Sequence, residues 1–528
     1  MFLKHGSISR TTAYVVHHLN DNTHSEIQVP STMEQPIGEG VESTEYLLED
    51  SKKWPQYLAA TLATLFAVCV GTVDGWTSPA LPLLQDCELS RGYNSSNDSF
   101  HHVITDDEAS WIGSLAPLGG LIGAMPAGYL ANIIGRRQLL LFLTVPLLLG
   151  WMTIIIAQDS VPSLYIARFI LGVACGAATV ATPLYNEEIA EVRVRGALGV
   201  NMDMMFNVGI LYIYIIGVLD SYLWLSISAC IIPAIFAVTF FWMPESPIFL
   251  VSKGETDKAE TSLCWLRGLG KMKNIDIERE LNQMKKFVND SLSKKSKQVT
   301  ENTRCGVFKE YIADLSVTSP TAKAVKIIFG LMIFQQLTGI DAVIYYTVDI
   351  FNEAGTSLSS SVCAIIVGIL QLISTYIPSL IVDRAGRRIL LILSELGMAV
   401  SLLVLSLHFT MQNNHVDVSW AGWIPLIAVN TFIIAFSIGF GPLPWLIMAE
   451  LLSTEAKVWV SSMAACLNWS LTFAVTKLFP IVNRDFGPAV TYGGFCFVCI
   501  LGTAFVIYFV PETQGKSRED IQLELIGK

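Results

Sequence analysis

The sequence predicts an all-α membrane protein with twelve transmembrane helices in two pseudo-symmetric six-helix bundles. Three observations lead there. The 528 residues are 52% hydrophobic and only 15% charged, with a mean hydropathy of +0.51, whereas a soluble chain of this size needs more charge. The apolar residues gather into twelve runs, each near the roughly 20 residues that a bilayer crossing requires. Charged phrases also recur in the same order, as in "GYLANIIGRR" at 128–137 and "SLIVDRAGRR" at 379–388.

Residues 1–54 are polar and lack the apolar core of a cleavable leader; they read as a disordered tail. The N-terminal bundle (55–243) holds runs at about 57–84, 109–131, 138–157, 163–186, 198–219 and 222–243. A polar linker (244–322) follows, with helical patterning in "DIERELNQMKKF". The C-terminal bundle (323–510) holds runs at about 324–350, 360–382, 388–408, 423–449, 458–482 and 489–510, and 511–528 form a closing tail. Thr105-Asp-Asp-Glu108 reads as a capping box starting the second run. Gly119-x-x-x-Gly123 and Gly172-x-x-x-Gly176 predict close helix contacts.

Seven of the ten cysteines lie inside apolar runs, and Cys87, in a loop, has no obvious partner, so no disulfide framework is expected. Cys496-x-x-Cys499 resembles a redox motif but lies in an apolar run without a second pair, and reads as packing.

Lys and Arg sort by side. Short loops with Arg136/Arg137, Arg193/Arg195 and Arg384/Arg387/Arg388 alternate with "AQDSVP", "LDSY" and "QNNHVDVSW", which have neither. The basic loops and both termini are therefore expected in the cytoplasm. The first external loop then carries two glycosylation acceptor patterns, at Asn94 and Asn97. An integral protein of the plasma membrane is expected, monomeric and in contact with lipid.

Aligning the repeats sets Asn132 over Asp383 and Gly135 over Gly386. Glu188 stands seven residues before Arg195, as Glu450 does before Lys457. "MPESP", with Glu245, closes the sixth run, and "VPETQ", with Glu512, closes the twelfth. Such ordered echoes mark a duplicated six-helix unit. The sequence therefore predicts a cytoplasmic gate of two clusters, Arg136, Arg137, Glu188, Arg195 and Glu245 with Asp383, Arg387, Arg388, Glu450, Lys457 and Glu512. Topology alone would not require the acids to recur at fixed offsets, so the clusters are read as a latch holding that face shut between the halves.

These phrases resemble the sugar porters of the major facilitator superfamily, from about residue 57 to 521. The resemblance rests on "GYLANIIGRR", "PLYNEEIAEVRVRG", "PESP", "QQLTGIDAVIYY", "SLIVDRAGRR", "GFGPLPW", "NW" at 468–469 and "PETQGKS". It is closest to insect facilitated trehalose transporters and to intracellular-type glucose transporters. It implies the major facilitator fold and facilitative uniport of a neutral sugar, trehalose or a hexose such as glucose.

A neutral sugar needs uncharged donors and acceptors together with aromatic faces. The seventh run supplies Gln335, Gln336, Asp341, Tyr345 and Tyr346, with Gly339 permitting a helix break. Polar groups left unsatisfied in lipid cost several kcal/mol, so adjacent glutamines there point to function. The resemblance implies that Gln335 and Gln336 bind sugar and that Tyr345 and Tyr346 form an outer gate. It also sets Trp445, after the helix-weakening Gly441-Pro-Leu-Pro444, against the sugar, with Asn468 and Trp469 in the same site. Gln371 falls where the family often has Asn, Asp203 where Gln is common, and Asp341 where Asn is common. Asn132 replaces the usual Asp of the first repeat, and Ile248 the usual Arg after "PESP".

Proton-coupled members carry a first-helix carboxylate where this chain has Thr77, which also counts as a candidate sugar contact. Asp74, Asp203 and Asp341 are then candidate proton sites, leaving open a proton-coupled sugar symporter beside uniport. A sugar sensor that binds without transporting is a further alternative of another class. Arg168 reads equally as a gate residue or a snorkelling one. No H-E-x-x-H, G-x-S-x-G or phosphate-loop pattern occurs, so no enzyme, cofactor, metal site or nucleic-acid partner is expected.

Overall fold

The computed structural model describes residues 53–85, 104–156, 160–268, 277–289, 320–416, 419–452, 454–516, 521 and 524; the side chains of 192–197, 200, 379, 383 and 454–459 are excepted. Asn94 and Asn97, and the side chains of Arg195, Asp383 and Lys457, therefore lie outside the described residues.

The first half comprises α1 (Trp54–Gly75), α2 (Thr77–Gln85), α3 (Asp106–Ile134), α4 (Arg136–Ile156), α5 (Val161–Ile189), α6 (Val192–Gly217) and α7 (Tyr222–Phe240). Two linker helices follow, α8 (Pro247–Ser252) and α9 (Thr256–Leu266), with further helix at 277–289. The second half comprises α10 (Pro320–Leu337), α11 (Ile340–Ala354), α12 (Ser360–Ala385), α13 (Arg387–Asn413), α14 (Ile424–Ile438), α15 (Leu443–Leu451), α16 (Thr454–Phe486) and α17 (Pro488–Phe509). Among the described residues, eleven spans are long and apolar enough to cross a bilayer, and the shorter apolar helix Asn201–Gly217 completes twelve. Several exceed the apolar runs by a turn at either end, because capping acids and basic residues extend a helix past the lipid core.

The predicted capping box is present: Thr105 accepts from the Glu108 amide, while the Glu108 side chain accepts from the Thr105 amide. The glycine pairs bring α3 and α5 into backbone contact; a methyl group at Gly176 would lie 1.9 Å from the Gly120 carbonyl oxygen. In the second half α13 packs closely on α17. The halves meet along two seams, α3 on α16 and α6 on α12, with α2 also touching α11. The pairing is what a two-fold relation between second and eighth, and fifth and eleventh, spans requires.

Among the described residues, two spans are interrupted. The first span of the chain instead runs on from α1 to α2 through Trp76, which keeps helical angles (φ −58°, ψ −33°) just before Pro79 and Pro82. Gly339, with a φ of 89°, separates α10 from α11 in a left-handed conformation that side chains resist. Gly439 to Pro442 separate α14 from α15. Broken spans at mid-membrane leave backbone polar groups that need partners, and in transporters such breaks line the solute path.

Candidate functional site

At the end of the bundle that carries the arginines, each half holds its own charge cluster. Glu245 accepts the backbone N–H groups of Arg136, Arg137 and Gln138 at 3.0, 2.9 and 3.3 Å. Its carboxylate thereby caps the start of α4, where amides lack helical partners and the dipole is positive. Arg136 reaches Glu188 at 2.8 Å and Asn132 Oδ1 at 2.9 Å, and Ser246 donates to Glu188. Arg137 donates to the Phe241 carbonyl.

The second half repeats the pattern. Glu512 accepts the amides of Arg387 and Arg388 at 2.9 and 3.1 Å, and Arg387 pairs with Glu450 at 3.3 Å. The expected grouping of Arg136, Arg137, Glu188 and Glu245 is thus present, as is that of Arg387, Arg388, Glu450 and Glu512. Among the described side chains these pairs join helices of one half, and the expected latch across the halves is not formed in this state. The reason is geometric, since each acid stands at the mouth of the turn that its own half supplies. Asn132 does not leave Arg136 without a partner either; its amide oxygen is a neutral acceptor in place of the usual Asp.

The first-half cluster continues into the linker. Arg267, at the C-terminal cap of α9, is buried, pairs with Glu191 at 3.4 Å and Glu280 at 2.5 Å, and donates to the Ile189 carbonyl. Gln56 at the start of α1 also donates to Glu191, at 2.7 Å. No spacing in the linker sequence singled out Arg267.

The hydrogen bonds that join the halves through described side chains lie from mid-membrane to the opposite end. Gln371 donates to Asn207 at 2.9 Å, and Asn207 donates to Thr375 at 2.6 Å. Tyr214 donates to the Ile344 carbonyl at 2.8 Å, and Ser78 accepts the Val348 amide at 3.0 Å. Tyr345 donates to Asp74 at 2.6 Å. The predicted gate tyrosines are both buried, with a further kink at Tyr346, whose hydroxyl donates to the Thr476 carbonyl.

At the break in the seventh span, Gln335 donates to the carbonyls of Phe440 and Gly441 at 2.6 and 2.9 Å and accepts from Asn468 at 3.1 Å. One glutamine therefore ties three elements of the second half, α10, α16 and the α14–α15 break. Gln336 Oε1 and Asp341 Oδ2 are enclosed acceptors with no partner among the described residues. Trp469 crosses to the first half, where a methyl at Gly120 would meet its ring at 2.7 Å. Trp445 stands on α15 just beyond the break, 37% exposed. Asp203 is exposed one turn before Asn207, on the α6 face that Asn207 and Tyr214 turn toward the second half. Most of the predicted sugar-site residues thus collect around the breaks and seams.

Arg168 does not snorkel. It is fully buried and donates to the carbonyls of Ile112 and Val73 at 3.0 and 2.7 Å and to Thr77 Oγ1 at 2.8 Å, with its guanidinium 5.4 Å from the Trp76 ring. Thr77 is therefore engaged by Arg168. Sequence reasoning missed Asn207, Lys477 and Glu395. Glu395 carried a signal, being the single carboxylate within the run at 388–408; it is fully buried beside Cys499 and Gly502.

Twelve spans in two related halves, with broken helices at the junction, define the class of two-domain membrane transporters. The sequence matches the "Sugar (and other) transporter" family over residues 47–525, and the chain belongs to that family. It is 35% identical to the facilitated trehalose transporter Tret1 of Culex quinquefasciatus over 528 residues, 100% of this chain and 94% of that protein. It is 36% identical to Tret1 of Aedes aegypti over 475 residues, 90% of this chain and 56% of that protein. The chain thus spans about half the length of several curated relatives. Among solved structures, the inward-open xylose transporter XylE of E. coli matches with a TM-score of 0.70 at 22% identity, covering 89% of this chain and 99% of that one. The partially occluded inward-open form of the same protein matches with a TM-score of 0.68 at 22% identity, covering 87% and 100%. The fold is that of the major facilitator superfamily.

Proposed function

We propose that the protein carries a neutral sugar, trehalose or a hexose such as glucose, down its gradient by alternating access. The observation that carries this reading is the Gln335 junction with Asn468 beside the Gly339 break, with two unpartnered acceptors, Gln336 Oε1 and Asp341 Oδ2, on the same span and Trp469 next to Asn468 in the chain. Such a surface supplies hydrogen bonds to hydroxyls and an aromatic face to ring C–H groups. The relatives named for trehalose transport support the substrate class, and the arginine loops support placing that end in the cytoplasm of a plasma-membrane protein. With the hydrogen bonds between halves gathered at the far end, the arrangement fits an inward-open state. Gln335, Gln336, Asp341, Gln371, Asn468, Trp445 and Trp469 are the proposed sugar contacts, with Tyr345 and Tyr346 as the outer gate.

Uniport is favoured because a neutral Thr77, at the position where proton-coupled members carry a carboxylate, accepts from Arg168, while the nearby Asp74 is held by Tyr345. The decisive experiment is uptake of labelled trehalose, glucose and fructose into proteoliposomes at acid and neutral pH. Uniport predicts equal rates with and without a protonophore. Accumulation that rises at acid pH and collapses with the protonophore would establish symport instead. Binding without uptake would mark a sensor.

A further inference from the structure

Lys477 lies on α16 toward the end opposite the arginines, and its side chain is only 14% exposed. An ammonium has three N–H donors and no acceptor. Two are spent on the first half: Asp107 Oδ1 at 3.0 Å and Ser110 Oγ at 2.7 Å. The ammonium also sits 4.1 Å from the centre of the Trp111 ring, close enough for a strong cation–π contact. Trp111 in turn leans on Phe473, ring centres 6.4 Å apart. Asp107, Ser110 and Trp111 stand at i, i+3 and i+4 on α3, and Phe473 and Lys477 at i and i+4 on α16, so two complementary faces meet across one seam.

A lysine at this end runs against the sorting of positive charge, which asks for a reason beyond topology. The start of α3 would by itself repel a cation; Asp106, Asp107 and Glu108 in its first turn reverse that field. The ion pairs described at the arginine end stay within one half, whereas this one bridges the two.

We propose that Lys477 is the latch of the mouth opposite the arginines, tying α16 to α3 only while that mouth is closed, and so sets the balance between the two open states. This rests on the alternating-access reading above. When the halves tilt to open that mouth, the first turns of α3 leave α16, and the ammonium exchanges Asp107, Ser110 and Trp111 for water. A positioning role follows: Lys477 biases the cycle without touching the sugar.

The test uses the full chain in proteoliposomes, with the other cysteines replaced and Ser114→Cys as reporter. Ser114 lies one turn below Ser110 on the same face and is fully buried. An impermeant maleimide applied from the Lys477 side reports opening of that mouth. Lys477→Met should raise the labelling rate about five- to tenfold, the yield of a partly buried ion pair with a cation–π contact. Asp107→Asn, at an exposed carboxylate, should raise it about two- to fivefold without disturbing the fold. The exchange Lys477→Asp with Asp107→Lys should return it to within about twofold of the parent. Unchanged labelling in both single variants overturns the latch, as does failure of the exchange to restore a raised rate. Labelling needs no sugar, so absence of uptake by the parent would sink the transport reading and leave this result standing.

Discussion

Tyr345 donates to Asp74 Oδ1 at 2.6 Å, joining the outer segment of the broken seventh span to the first span of the other half. Both groups are buried, so removing the donor strands a carboxylate. Tyr345→Phe is expected to cost about 1–3 kcal/mol, whereas Asp74→Asn keeps an amide oxygen as acceptor and should cost about 1 kcal/mol or less. Thermal melting of the purified variants in one detergent gives the order. Equal losses would show that this bond does not hold the seam.

Gln335 satisfies the carbonyls of Phe440 and Gly441 and orients Asn468. Gln335→Ala removes these bonds and the proposed hydroxyl contact together, so sugar affinity should fall about tenfold or more. Gln335→Glu should do worse, because it sets a buried carboxylate charge against two carbonyl oxygens instead of merely losing the donor. Equilibrium binding of labelled sugar measures both; unchanged affinity in a well-folded Gln335→Ala protein removes this residue from the site.

Arg136 and Glu188 are each about one-tenth exposed or less, whereas Lys258 and Glu255 are 71% and 45% exposed. Arg136→Ala leaves Glu188 buried without its cation and should cost about 3–5 kcal/mol. Lys258→Ala should cost about 0.5 kcal/mol or less. Melting temperatures that drop equally would contradict the burial contrast.

Cys264 on α9 lies outside the membrane spans and is partly buried. Burial, and then the nearby Glu260, push its thiol above the ordinary value. The thiolate is therefore scarce at neutral pH and grows as pH rises. In a variant retaining only Cys264, alkylation should be slower than for an exposed cysteine and should accelerate into the alkaline range. With the arginine end in the cytoplasm, an impermeant reagent added to intact cells should leave it unlabelled.

The spans, the duplication, the capping box and the glycine contacts were legible because each is a local pattern. Glu188 and Glu245 were legible because their twins recur at matching places. Lys477, Asn207 and Arg267 were not, since each is a lone residue whose partners arrive from segments far off in sequence. Arg168 could be seen but not assigned; its acceptors are two backbone carbonyls and one hydroxyl, which no spacing announces. The pairing within each cluster was hidden for a related reason. Recurring acids show that two clusters exist, but not whether the charges meet across the seam or within each bundle.

Glu245 and Glu512 grip main-chain amides rather than side chains alone, which makes each turn a stiff bracket fastened inside its own bundle. Stiff brackets cannot act as springs. Compliance during the solute's passage must then reside elsewhere, in the narrow glycine contacts and at the left-handed elbow of Gly339. A small molecule wedged at that elbow would jam the carrier and, lying beside Gln335 and Asp341, would compete with the sugar as well.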